Sequence, residues 1–413
     1  MSNQNALVQS YVARFDNHIK RESGQAISDA LSIESEHVAS IASALDLLHH
    51  GQRLTGGVSR LVVPWRDMVL LHFDVVRSLA NDDIVAASTA QNQLALCFYQ
   101  VFVQQTGWCL PILYAIIRDL RSLSIRADAF LLASDQKTGH LEEAARTMNR
   151  AFSACVTDRS SPIDVSRKWG TYYVVNVLFK TYFKLNSTNL CSTILRSLQS
   201  ADLPEISRFP ISHQVTLKYF TGVIAFYNEK FDAASSDLMF ALDRSLGKTV
   251  QDKRNKQLIL DYLVPAQLIR GILPHPRLFE KYPQIDEIYG EFVASVRSGN
   301  VQQFDVALIR HQSELIRRGT WLTVELVRLL VLRTLFRNVW LIHGKTSRIH
   351  MSVFQHALEL ASGGERVDLG QVECFLAIMV DKSFLKGYLS HEKQTVVLSN
   401  KDPFPRIVSS MVQ

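Results

Sequence analysis

The sequence predicts an all-α protein, an irregular stack of helical pairs closed at its C-terminal end by a small compact cap. Three observations predict it. Apolar residues recur at i, i+3, i+4 and i+7 through nearly every segment, the period of an amphipathic helix. Alternation suited to strands is absent until the C-terminus, and the chain finishes on three helical segments followed by two short apolar runs around a polar turn.

With 413 residues, of which 47% are hydrophobic, the chain can bury a substantial core in two or three structural units. The 20% of charged residues, 18 Gly and 11 Pro place it outside the disordered and fibrous classes. The opening MSNQNALVQSYVARF has neither the basic end nor the unbroken apolar run of a secretion signal. No apolar run approaches the ~20 residues that span a bilayer, so a soluble intracellular protein without membrane contact is expected. Cys97, Cys109, Cys155, Cys191 and Cys374 are odd in number and scattered through apolar helical patterns, which predicts reduced core residues.

Helices are predicted over 6–22, 26–49, 64–80, 83–106, 110–134, 140–156, 164–185, 188–200, 211–228 and 231–246. Gly51, Gly56 and Gly57, the run SSPID, and Pro204 with Pro210 punctuate them. Between Val174 and Ala201, two stripes (Val174, Leu178, Tyr182 beside Val175, Phe179, Phe183) lead through the turn NSTN into Leu190, Ile194, Leu195 and Leu198. That apolar face is too wide for one partner helix. The next pair carries Gly222, Ala234, Leu238 and Ala241 at the small and apolar positions of a tetratricopeptide-like hairpin, where small residues let two helices approach closely. Ala225 stands where such a repeat prefers Tyr, and no strict period of 34 residues runs through the chain. An irregular helical-repeat stack therefore describes the pattern, and a stack needs a cap.

The C-terminal part reads as that cap. A long helix from Trp321 to Ile342 precedes a second from Arg348 to Leu360. Asp368, with Gln371 three residues on, has the spacing of a capping box and opens a third helix through Lys382. Strands are expected only after Gly364, at 385–390 and 395–399, joined by HEKQ. Three helices and a terminal hairpin make a winged helix. The division expected is a helical region over 1–209, a helical-repeat part over 210–320 and a winged-helix part over 321–413.

Three stretches, KWGTYYVVNVLFKTYFKLNSTNLCSTILRSL, YFTGVIAFYNEKFDAASSDLMFAL and VECFLAIMVDKSFLKGYLSHEKQTVVLSNKDPFP, together resemble the PCI-domain family. Within it they are most similar to the branch holding the twelfth subunit associated with the COP-nine signalosome and the PCI protein of the nuclear messenger-RNA export complex. The likeness runs from Trp108 to Pro405. Its most specific parts are Lys168, Trp169 and Gly170, and a patch running from Lys386, Gly387 and Tyr388 through His391 to Asn400, Pro403, Phe404 and Pro405. The resemblance implies a non-catalytic scaffold subunit, nuclear and also cytoplasmic, that assembles with another PCI-type or export-scaffold subunit and with a small acidic, disordered proteasome-lid protein. In the export branch it implies nucleic-acid contact by paired winged helices. The alternative it implies is an accessory signalosome subunit without nucleic-acid contact.

The residues agree with a non-enzyme. There is no P-loop, G-x-G-x-x-G, H-E-x-x-H, C-x-x-C or H-x-H, so neither a phosphate cradle nor a metalloprotease centre is spelled out, and no cofactor is expected. His49 and His50 are adjacent and would point about 100° apart on a helix, with no Cys or carboxylate cluster to complete a tetrahedral metal shell. A Ser, His and Asp ring from separate segments is recognised by geometry rather than by spacing.

Charge is unevenly spread. From Arg310 to Arg348 eight basic residues stand against Glu314 and Glu325, so that segment alone carries +6, equal to the net charge of the whole chain. Arg333 and Arg337 share a helix face, while Arg328 follows Glu325 at a spacing that suits a local ion pair. Arg333, Arg337, Arg348, Lys382, Lys386 and Lys393 are the candidate nucleic-acid contacts, for RNA or DNA without sequence preference. The third helix leaves Gln371, Glu373, Asp381 and Lys382 outside its stripe of Val372, Phe375, Leu376 and Met379, and two acids there oppose base reading in a groove. Phe384, Tyr388, Val396 and Leu398 are the candidate partner interface, because the small domain carries more apolar surface than it can hide. The basic run DKRNK at Lys253 has the composition of a nuclear import signal.

Overall fold

The computed structural model describes residues 2–48, 61–159, 161–247 and 249–407. The chain is 73% helical, as the periodicity predicts, and separates into two compact units, Met1–Leu217 and Lys218–Gln413. His49 and His50 lie outside the described residues, as do Gly51, Gly56 and Gly57.

The first unit holds α1 (Ser2–Lys20), α2 (Gly24–Leu31), α3 (His37–Leu48), α4 (Trp65–Ala80), α5 (Ile84–Phe102), α6 (Leu110–Ala133), α7 (His140–Val156), α8 (Thr171–Lys184) and α9 (Asn189–Ser200). α10 (Ile211–Tyr227) carries the chain into the second unit. Pro111 sits in the first turn of α6, where its missing N–H is harmless, and Ile112, Leu113, Ile116, Leu120, Leu123 and Ala127 give α6 a fully buried stripe. α2, α5, α7 and α8 pack around it. The start of α7 is satisfied from a distance. The Asp128 carboxylate accepts the N–H groups of Gly139, His140 and Leu141, each at 2.9 Å, which neutralises donors that a helix start leaves without intrahelical partners.

Two helices differ from the sequence expectation for tertiary reasons. The helix expected over 26–49 is broken after Leu31, because the Asp119 carboxylate accepts the Ile33 N–H at 3.1 Å and Arg118 donates to the Ser32 hydroxyl at 3.0 Å. Both partners come from α6, which no local period reports. The helix expected over 164–185 begins only at Thr171. Before it, two 3-10 turns are pinned by a buried ion pair in which Arg167 donates to Asp158 at 3.0 Å and to the Phe102 carbonyl at 2.9 Å. The α8–α9 hairpin buries Val174, Val175, Leu178, Phe179 and Ile194 as expected, whereas Leu190 is 44% exposed.

The second unit continues with α11 (Phe231–Arg244), α12 (Val250–Ile269), α13 (Pro276–Lys281), α14 (Pro283–Ser298), α15 (Val301–Arg310) and α16 (Gln312–Arg318). Ala234, Leu238 and Ala241 are fully buried, and a Cβ added at Gly222 would meet Leu238 Cγ at 2.7 Å, so the small residue is what lets α10 and α11 touch. Thr249 and Asp252 form a reciprocal capping box at the head of α12. The basic run at Lys253 lies on the first turns of that helix.

The cap is built from α17 (Trp321–Ile342), β1 (Arg348–His350), α18 (Met351–Ala361), α19 (Leu369–Asp381), β2 (Gly387–Ser390) and β3 (Thr395–Leu398). β1 corrects the expectation that strands occur only after Gly364. Three residues are too few to show a period, yet Ile349 is 1% exposed between exposed Arg348 and His350 and pairs with Val396. The sheet order is β1-β3-β2, antiparallel throughout. Asp368 caps α19 by accepting the Gly370 N–H at 3.0 Å, and Val372, Leu376 and Met379 are fully buried. Cys374 corrects the reading of the cysteines as core residues. It is exposed on α19, whereas Cys109, Cys155 and Cys191 are buried.

Candidate partner and nucleic-acid interface

Strand parity decides which residues of the cap meet solvent. Side chains alternate across a strand, and directly paired residues share a face. Arg348 pairs with Val397, which pairs with Tyr388, so these three form one row; Ile349, Val396 and Leu389 form the next, on the opposite face. The second face is the inner one, since Ile349 and Val396 are 1% and 0% exposed. The outer face therefore presents Arg348 and His350 on β1, Thr395 and Val397 on β3, and Tyr388 and Ser390 on β2. Tyr388 is 61% exposed and stands two strands from Arg348, about 10 Å at ordinary strand spacing.

Parity also corrects the partner-interface set. Phe384, Val396 and Leu398 are 2%, 0% and 3% exposed and form the inner core of the cap. Of the four candidates only Tyr388 reaches the surface. Counting apolar residues treated both faces of the hairpin alike.

Half of the basic segment is neutralised where it folds. Arg310 reaches Glu291 at 2.5 Å, Arg317 holds Glu314, and Arg318 bridges Glu314 and Asp261. The hydrogen bonds from Arg317 and Arg318 hold the Glu314 carboxyl down at about 2, whereas burial raises Asp261 to about 6 against the pull of Arg318. Arg328 does not pair with Glu325. It grips Asp305 on α15 with two bonds, at 2.7 and 2.8 Å, a bidentate fork that the three-residue spacing to Glu325 does not reveal.

Arg333 is likewise not a surface cation. Its Nε donates to the Phe384 carbonyl at 3.2 Å and its Nη2 to the carbonyls of Phe404 and Pro405, so the guanidinium ties the chain before β2 and the segment after β3 to α17. Burial, and then the like charge of Arg337, lower its pKa from the ordinary value. Arg337 and Arg348 are exposed, as are Lys386 and Lys393, and Lys382 is half-buried at the end of α19. None of these five makes an ion pair among the described residues. On α19, Glu373 holds His391 at 2.9 Å, which brings the acidic helix against the hairpin turn. The cap thus presents an aromatic and cationic sheet face, and a third helix whose acids would repel phosphates.

Among the described residues, no helix is long and apolar enough to cross a membrane. Comparison with known proteins accords with the fold. Residues 301–400 match the PCI domain model, which spans α15 through β3. The chain is 39% identical over 361 residues to Protein CSN12 homolog of Schizosaccharomyces pombe, covering 84% of each. It is 30% identical over 402 residues to PCI domain-containing protein 2 of Xenopus laevis, covering 96% of this chain and 97% of that one. It is 29% identical over 410 residues to Enhanced ethylene response protein 5 of Arabidopsis thaliana, covering 97% and 95%. With identity of this order along nearly its whole length, and the five helices and three-stranded sheet of the matched segment in place, the chain belongs to the PCI-domain family.

Proposed function

We propose that this protein is a non-catalytic scaffold subunit of a nuclear complex acting in messenger-RNA export or transcription-coupled RNA processing. It docks a PCI-type subunit on the outer face of its C-terminal sheet. The observation that carries the reading is the row Arg348, Val397 and Tyr388, with Tyr388 61% exposed on an edge strand. An aromatic ring and an arginine on a surface otherwise backed by a filled core are the residue types that anchor protein interfaces. Arg337, Arg348, Lys382, Lys386 and Lys393 supply backbone contacts to RNA or DNA, and Glu373 and Asp381 keep α19 from reading bases. A small acidic, disordered proteasome-lid protein is a further partner in this reading.

Affinity purification of the tagged chain followed by mass spectrometry tests the assignment. Recovery of export or splicing factors with a second PCI-type subunit is the expected result. Likeness to proteins named CSN12 homolog favours the other reading, an accessory signalosome subunit without nucleic-acid contact. Signalosome subunits in place of RNA factors would replace the first reading with that one.

A further inference from the structure

Lys168, Trp169 and Gly170 are prominent in the sequence, and they belong to the first unit. The loop that carries them and the loop at 201–208 line an open cavity of about 440 Å³. Lys168 is only 9% exposed and lines this cavity, and its Nζ lies 3.0 Å from the Asp202 carboxylate. The Asp202 side chain is fully exposed. Arg159 and Arg208 also line the cavity, and neither has an acid partner among the described residues. The Arg208 guanidinium is held in place over the Trp169 ring, 5.3 Å from its centroid. The other acid, Asp158, is engaged from within: it accepts from the Ser166 hydroxyl, the Arg167 N–H and the Arg167 guanidinium.

A lysine whose side chain is only 11% exposed is best stabilised when an anion faces its charged end. Among the described residues, the anion that faces it is a solvent-exposed carboxylate on the opposing loop, while Arg159 and Arg208 line the same space. Asp202 therefore marks where an anion sits without supplying enough charge to match the cavity. A second carboxylate would compete with it as an equal. A phosphate monoester carries about −1.5 to −2 charge and three acceptor oxygens, enough to displace Asp202 and engage Lys168, Arg159 and Arg208 together. We propose that this cavity is a binding site for a phosphate monoester group, either free or borne on a serine or threonine side chain of a partner. Ser161 lines the same space and adds a hydroxyl to the site. The inference does not rest on the function proposed above, since every residue involved belongs to the first unit.

The test is titration calorimetry on the full chain with inorganic phosphate and, separately, with a short glycine-flanked phosphoserine peptide and its unphosphorylated form, at matched ionic strength in chloride. Saturable one-site binding is expected. Arg208→Gln, a change at an exposed residue, should weaken it at least tenfold, and Lys168→Met should abolish it with the circular dichroism unchanged. Asp202→Asn should strengthen it several-fold by removing the internal competitor. For the phosphopeptide, lowering the pH through its second phosphate ionisation, about 6, should weaken binding because the ligand loses charge. A phosphopeptide that binds tighter than inorganic phosphate identifies the partner side chain as the source, and equal affinities identify a free ligand. Absence of saturation with either probe, or affinities unmoved by both Arg208→Gln and Asp202→Asn, overturns the site.

Discussion

The Nη2 of Arg333 lies 3.1 Å from the carbonyl oxygen of Phe404, so a side chain from the middle of α17 fixes the segment that follows the last strand. Phe404 is 5% exposed with its ring 5.9 Å from that of Trp340, about two turns further along the same helix. Lys386 completes the arrangement by donating its N–H to the Pro403 carbonyl at 2.8 Å.

Replacing Arg333 by Met leaves three carbonyls without their donor. Hydrogen bonds to a charged group contribute roughly 1.5–3 kcal/mol, so the second unit should lose about 2–3 kcal/mol in denaturant unfolding. Limited proteolysis should then cut near residues 403–407. Arg337→Met, one turn away and exposed, should change stability by no more than about 0.5 kcal/mol. Equal effects of the two changes would show that the guanidinium does not hold the tail.

Tyr388→Asp should release the PCI-type partner in co-purification while circular dichroism stays that of the wild type. Val396→Asp, on the inner face, should instead unfold the cap, because it buries an unpaired charge. Retention of the partner by the Tyr388 variant would place the interface elsewhere.

The first unit should be acid-sensitive through His72. Its ring is fully buried, 6.1 Å from that of His37 and 6.4 Å from that of Tyr11, and neither nitrogen has a hydrogen-bond partner among the described residues. Burial, then the neighbouring His37, lower its pKa from 6.5 to about 3. The folded value lies below the unfolded one, so this contribution is complete above pH 6.5 and is lost as pH falls towards 3. Between pH 6.5 and 5 the loss should be about 1.5 kcal/mol. His72→Phe should flatten urea-unfolding midpoints across that window, and a wild-type slope in the variant would assign the sensitivity to other groups.

Nucleic-acid binding by the second unit should depend on salt. If about three or four of Arg337, Arg348, Lys382, Lys386 and Lys393 each neutralise a phosphate, log K for duplex DNA should fall against log salt with a slope near −3. Converting Arg337, Arg348, Lys386 and Lys393 together to Glu should abolish binding without unfolding, since exposed charges contribute little to stability. Fluorescence anisotropy over a salt series reads both. An unchanged slope in the variant would remove nucleic acid from the proposed function.

What the sequence revealed depended on how local the cause was. The helical period located α17 and α19, and the spacing from Gly222 to Ala241 identified a close-packed hairpin, because those patterns are written in consecutive turns. The break between α2 and α3 is imposed by Asp119, 86 residues from Ile33, and the partner of Arg328 lies 23 residues before it rather than on its own helix. Neither leaves a local trace. The hairpin is the intermediate case: the alternation that separates Tyr388 from Val396 and Leu398 is legible at a period of two, but only once β3 is known to be paired on both sides.

The strand order β1-β3-β2 places the last strand in the sequence at the centre of the sheet. Arg348–His350 has no partner in the sheet until Thr395–Leu398 exists, and Gly387–Ser390 pairs with the same four residues. During synthesis the cap therefore cannot close while the ribosome is still reading the helices, and a premature stop before Thr395 removes the shared centre rather than an edge. Such a chain would leave the ribosome with its repeats complete and with two strands that have nothing to pair with, a product fit for degradation rather than for partial function.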